Sequence, residues 1–67
     1  NSKKLIINHS AFSTNNFQKL IDHLVKNNIA YWTYELEKNK VRIRKDGVRQ
    51  VYIQDPEGNW IEINEVN

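Results

Sequence analysis

The 67-residue chain contains no cysteine, so no disulfide can staple it and no thiolate metal site can form. It contains no methionine either, so it cannot begin at its own start codon. A piece excised from a longer protein is the expected explanation, because nothing at the amino end resembles a signal sequence. The missing thiols leave the redox compartment open; a cytoplasmic location is the expectation. No apolar run approaches the roughly 20 residues that cross a bilayer, so no membrane partner is expected. With two glycines and one proline there is little room for a linker, and no repeat or low-complexity tract is visible. The net charge of +2 is too small to argue for nucleic acid. A chain this short makes one domain, of a size at which a single core is marginal without a metal or a partner.

What is present is organised around Gln50 to Asn64. Two short runs of alternating β-branched or aromatic and polar residues flank Asp55-Pro56-Glu57-Gly58. Asp55 can accept from the backbone of the turn, Pro56 pre-sets φ, and Gly58 tolerates the closing geometry. Two strands and a tight turn are predicted. Ile61 and Ile63 fall on one face of the second strand, and Trp60, Glu62 and Asn64 on the other. An aromatic, an acid and an amide in one row make a poor core and a poor solvent face; this row is expected to line a cavity.

Towards the amino end, Leu5 to Ser13 is a strand candidate with apolar residues on both faces, which predicts a central strand covered on both sides. Alternation places His9 with Ala11, away from Phe12. Asn15 and Gln18 have capping-box spacing. After them Phe17, Leu20, Ile21, Leu24 and Val25 form one apolar stripe at helical period. His23 lies on the polar face as a solvated residue, and Asn27-Asn28 supplies a left-handed end to the helix. The run from Ile29 to about Glu37 has strand composition, and Glu37 to Lys40 reads as a turn. Lys40 to Lys45 alternates basic and apolar residues and can extend a strand, and Asp46-Gly47 marks another turn. The order is strand, helix, strand, strand, strand, an α+β unit. One helix covers one face of its sheet. The other face, with His9, Tyr52, Trp60 and Glu62, is left bare, which is unusual for a soluble monomer. A second sheet is therefore expected over it.

The order and two motifs resemble one βαβββ module of the vicinal oxygen chelate superfamily, which includes glyoxalase I, bleomycin- and fosfomycin-resistance proteins and extradiol dioxygenases. Val51 to Ile63 is similar to that family's strand, Asp-Pro-x-Gly turn and strand ending in a glutamate ligand. Asn8-His9-Ser10-Ala11-Phe12 is similar to the His-x-Ala-Phe opening of its second module. The resemblance implies residues 1–67 as the carboxy-terminal half of a two-module domain whose sheets curl around a divalent metal. His9 and Glu62 would each supply a ligand, and Glu62 could double as the base that takes a proton beside a carbonyl. The remaining ligands would come from a missing amino-terminal half or from a second copy of this chain, a homodimer. Such a nitrogen and oxygen donor set suits Zn(II), Ni(II), Mn(II) or Fe(II). The implied function is half of a glyoxalase-like site acting on a small chelating substrate, with proton transfer of the lyase or isomerase type favoured over dioxygenation.

Bland readings stand beside these. Without the resemblance Glu62 is a solvated acid, and His9 is a buried imidazole bonded to the backbone. Tyr52 and Trp60 would line the cavity or form the interface with the partner module, and Asn64 could bond Glu62 or a ligand. Arg42 and Arg44 belong to a solvated strand, although Arg44 at the cavity rim could pair with an anionic substrate. The alternative function is a metal-free module that sequesters a small molecule. A nucleic-acid surface is the weakest reading, and no nucleic-acid partner is expected.

Overall fold

The computed structural model describes residues 9–66. Its elements are β1 (Ser10–Thr14), α1 (Phe17–Lys26), β2 (Arg42–Ile43), β3 (Arg49–Gln54) and β4 (Trp60–Glu65). One helix lies on a four-stranded mixed sheet of order β1-β4-β3-β2, a single βαβββ unit. β1 runs parallel to β4, and the other neighbours are antiparallel.

The helix forms where the apolar stripe requires it. Phe17, Ile21 and Leu24 are buried and join Val51 and Tyr31 in the core, with Leu20, Val41, Ile53 and Ile63 packed around them. Val51 is fully buried at the centre of β3. The start of α1 differs from the capping box. Asn16, not Asn15, is the N-cap and makes no side-chain cap bond. Gln18 instead donates to Asp22 and accepts from Arg49. The end is as the asparagine pair implies. Asn28 has a φ of 56°, its N–H donates to Val25 O, and that of Ile29 donates to Leu24 O. This is the doubly bonded Schellman closure.

The Asp55 turn also forms as expected. Asp55 Oδ1 accepts from the N–H groups of Glu57 (2.9 Å) and Asn59 (2.8 Å), and Gly58 adopts a φ of 88°. Asp46-Gly47 closes the β2–β3 hairpin, with Val48 N–H donating to Asp46 Oδ1.

Two strand expectations are corrected. β1 is an edge strand, not a central one, and Ser10 to Ser13 are exposed. No residue of β1 joins the core cluster, because α1 packs over β3 and β4. Leu5 to Asn8 of that predicted strand lie outside the described residues. The segment from Ile29 to Glu37 is not a regular strand; only Trp32 forms bridges, to Tyr52 and Lys38. Side-chain bonding to the backbone diverts it. Thr33 Oγ1 accepts the N–H of Glu37, Leu36 N–H donates to Thr33 O, and Leu36 takes a φ of 69°. The strand that pairs with β3 is instead the two-residue β2, within Lys40 to Lys45.

Candidate functional site

Strand register builds the site. Glu62 of β4 lies between Ala11 of β1 and Tyr52 of β3, and Asn64 lies opposite Gln50. Side chains alternate along a strand, so Tyr52, Gln50, Glu62 and Asn64 share the face that α1 does not cover. His9, just ahead of β1, reaches the same point.

All four of these neighbours bond the Glu62 carboxylate. His9 Nε2 lies 2.6 Å from Oε1, and the Tyr52 hydroxyl donates to the same oxygen at 3.0 Å. Asn64 Nδ2 donates to Oε2 at 2.6 Å, and Gln50 Nε2 donates to it at 3.3 Å. Burial alone would push the Glu62 carboxyl up, but the bonds from Asn64, Tyr52 and His9 outweigh it and hold the group below its usual range. The Tyr52 phenol moves the other way. Burial, then the bond to the Glu62 carboxylate, keeps it protonated well above its ordinary range. The carboxylate is therefore ionised and the phenol neutral across the physiological range.

Aromatic rings surround the carboxylate. His9 meets Tyr52 edge-on at 5.2 Å, and Tyr34 tilts against Tyr52 at 5.8 Å. Trp60 stands at the end of the row, edge-on to Trp32 at 5.2 Å. Arg42, opposite Gln50 in register, belongs to this face and lies 3.9 Å from Glu35.

Five of the residues singled out in the sequence therefore share one face: His9, Tyr52, Glu62 and Asn64 in contact, with Trp60 farther along. Arg44 is not brought to them. It pairs with Asp46 at 2.9 Å on the exposed β2–β3 hairpin. Besides Arg42, three residues of this face escaped the sequence reading. Gln50 could have been found, since it shares the two-residue alternation with Tyr52. Trp32 and Tyr34 could not, because their loop reaches the sheet through tertiary contacts.

Among the described residues, no three His, Cys, Asp or Glu side chains gather as a metal cage. His9 and Glu62 form a pair. The two atoms that would ligate, Nε2 and Oε1, face each other, and the side chains are 23% and 16% exposed. An imidazole nitrogen and an ionised carboxylate oxygen are donors that a first-row divalent cation takes as part of a ligand set. At 2.6 Å the two are hydrogen-bonded to each other, so both reach one cation only once that bond opens, and the remaining donors must come from outside the described chain. The concave surface between the end of α1 and the Tyr31–Asn39 loop has apolar residues on its walls and carries none of this chemistry.

The class this defines is a single βαβββ module with a carboxylate-centred polar cluster on its uncovered face. The fold is shared with two solved structures. One is "Oxidase ChaP-H1", 22% identical with a TM-score of 0.73, to which the chain aligns over 100% of its own length and 56% of that chain. The other is "Oxidase ChaP-H2", 20% identical with a TM-score of 0.68, over 96% of this chain and 54% of that one. The chain thus spans about half the length of either oxidase. No protein-family model matches the sequence, and no curated protein does so.

Proposed function

We propose that this chain is one module of a vicinal-oxygen-chelate-type, metal-dependent enzyme that acts on a small chelating substrate, and that His9 and Glu62 are its contribution to the ligand set. The observation that carries the reading is the convergence of one imidazole and one ionised carboxylate, 53 residues apart in sequence, at 2.6 Å on the face the helix leaves bare. Similarity in fold to chains about twice as long, both named oxidases, supports a second module over that face. In this reading the second module is an amino-terminal half or a second copy of the chain, the copy supplying another His9 and Glu62.

Within the site, Glu62 holds charge and His9 offers Nε2, while the Tyr52 hydroxyl and the Asn64 amide fix the carboxylate. Trp60 and Trp32 give the substrate a flat apolar wall. A bound divalent cation would polarise the chelated oxygens of the substrate and stabilise negative charge there. A carboxyl held below its usual range is a better ligand than a base, since a general base works best with a pKa near the operating pH. Chelation is therefore the centre of the proposal. Proton transfer at the chelated substrate is the reaction first to be assayed, and oxidation the second.

The test is metal uptake by the paired protein, the chain with its amino-terminal half or the chain's own dimer, followed by elemental analysis after titration with Zn(II), Mn(II), Ni(II), Co(II) or Fe(II). One cation per pair of modules is expected, lost on His9→Ala or Glu62→Gln. Full occupancy in the Glu62→Gln chain, or no uptake of any of these cations by the unaltered paired protein, would overturn the proposal. Sedimentation reads the pairing: a self-completing site requires a dimer at micromolar concentration.

A further inference from the structure

Gln50 is 7% exposed, yet it belongs to neither the hydrophobic core nor the aromatic wall. Its Nε2 is spent on two acceptors, Glu62 Oε2 at 3.3 Å and Asn64 Oδ1 at 2.9 Å. Asn64 in turn donates its own amide to Glu62 Oε2 at 2.6 Å. The three side chains close a ring in which each touches the other two. Its direction is fixed by chemistry. A carboxylate can only accept, so Asn64 must present Nδ2 to Glu62 and its Oδ1 away from it, and that oxygen meets Gln50 Nε2. Gln50 thus dictates which way the Asn64 amide lies, and the two amides together hold Oε2. Oε1 is left toward His9.

The other end of the Gln50 amide is an anomaly. Oε1 is buried and, among the described residues, has no hydrogen-bond partner. An unsatisfied buried acceptor destabilises the fold, and an apolar side chain of similar shape would remove that penalty.

We infer that Gln50, acting through Asn64, is a positioning residue that fixes the Glu62 carboxylate with Oε1 presented for ligation beside His9 Nε2. The inference rests on the metal-dependent reading above. Outer partners of a ligating carboxylate set its orientation, and their loss weakens metal affinity roughly 10–100-fold. Asn64, which the sequence offered as a partner for Glu62 or for a ligand, bonds Glu62 and shares the same positioning role.

The test compares the unaltered chain with Gln50→Leu, and with Gln50→Met should leucine's branching prevent folding. Each chain, paired with its second module, is titrated with Co(II), read by its visible absorption spectrum and by calorimetry, and each is melted in the presence of a chelator. A positioning role is read in the metal, not in the melt. Co(II) affinity falls roughly 10–100-fold with an altered absorption envelope, whatever the metal-free melting temperature does, since the variant loses the bonds to Glu62 and Asn64 along with the buried Oε1. A merely structural role would change the melting temperature and leave the Co(II) affinity and spectrum alone. Unchanged affinity in the Gln50 variants overturns this inference by itself. Absence of Co(II) binding by the unaltered paired modules overturns the metal-dependent reading and takes this inference with it.

Discussion

Replacing Tyr52 with phenylalanine removes one oxygen from the centre of the cluster and little else. The ring keeps its edge-on contact with His9 and its tilted contact with Tyr34, so packing is retained. What is lost is a 3.0 Å hydrogen bond to a charged acceptor, Glu62 Oε1, from a residue 3% exposed. Bonds of that kind contribute about 1.5–3 kcal/mol net, and the lower end applies because Glu62 keeps three other polar partners. A loss of about 1.5 kcal/mol lowers the melting midpoint of so small a domain by roughly 6–12 °C. A pH signature accompanies it. Burial first, and then the Glu62 carboxylate, hold the folded phenol protonated well above its usual range. The unfolded chain therefore ionises first, near pH 10, and binds fewer protons than the folded one above that point. Stability contributed by the Tyr52 proton is complete below about pH 10 and falls with rising pH by at most about 1.4 kcal/mol per unit. The gap between the unaltered and Tyr52→Phe chains should close from about 1.5 kcal/mol at pH 7 to near zero at about pH 11. Urea unfolding with a chelator present, followed by the fluorescence of Trp32 and Trp60, measures it. Equal stability at pH 7, or a gap that does not narrow with alkali, would refute the bond and the burial together.

Three further outcomes are expected. Phe17 is 2% exposed and receives the Arg49 guanidinium over its ring at 5.0 Å. Phe17→Ala should therefore destabilise by about 3–5 kcal/mol, enough to leave a chain of this size largely without helical circular dichroism. Asp55 is held below its usual range by the backbone and then the side chain of Asn59. Its contribution is full above about pH 4 and fades as the pH falls further, so Asp55→Ala should lower the melting temperature at pH 7 and converge with the unaltered chain in acid. Parallel curves down to pH 2 would contradict that. Arg44→Ala removes an exposed pair with Asp46, so it should shift stability by no more than about 0.5 kcal/mol and leave metal uptake unchanged. Reduced uptake would return Arg44 to the site.

The carboxylate cluster was more legible than the sheet that carries it. Period-two alternation is local and rigid, so His9 could be assigned with Ala11, and Glu62 with Trp60 and Asn64, before any pairing was known. The β3–β4 register then brought Tyr52 and Gln50 beside them, because the Asp55 turn leaves little freedom in how those strands meet. Gln50 was passed over because a glutamine in an alternating strand looks like solvent-facing filler; only its burial reveals otherwise. Arg44 is held away from the cluster for a related reason. Charge suggests what a side chain could attract, but Asp46, two residues away, had already claimed it.

Composition and periodicity alone determined the helix, both asparagine and aspartate turns, the α+β order, and that Trp60 and Asn64 share a face with Glu62. These are decided within a few residues along the chain, by backbone sterics and the repeat of the side chains. Tertiary structure alone decided that β1 lies at the edge, that Ile29 to Glu37 folds back as a loop carrying Trp32 and Tyr34 to the sheet, and that four side chains converge on one carboxylate. Those outcomes depend on which of several near-equal partners each strand and each polar atom finds. That competition is settled by burial and hydrogen bonding across distant segments, and no local pattern records its result.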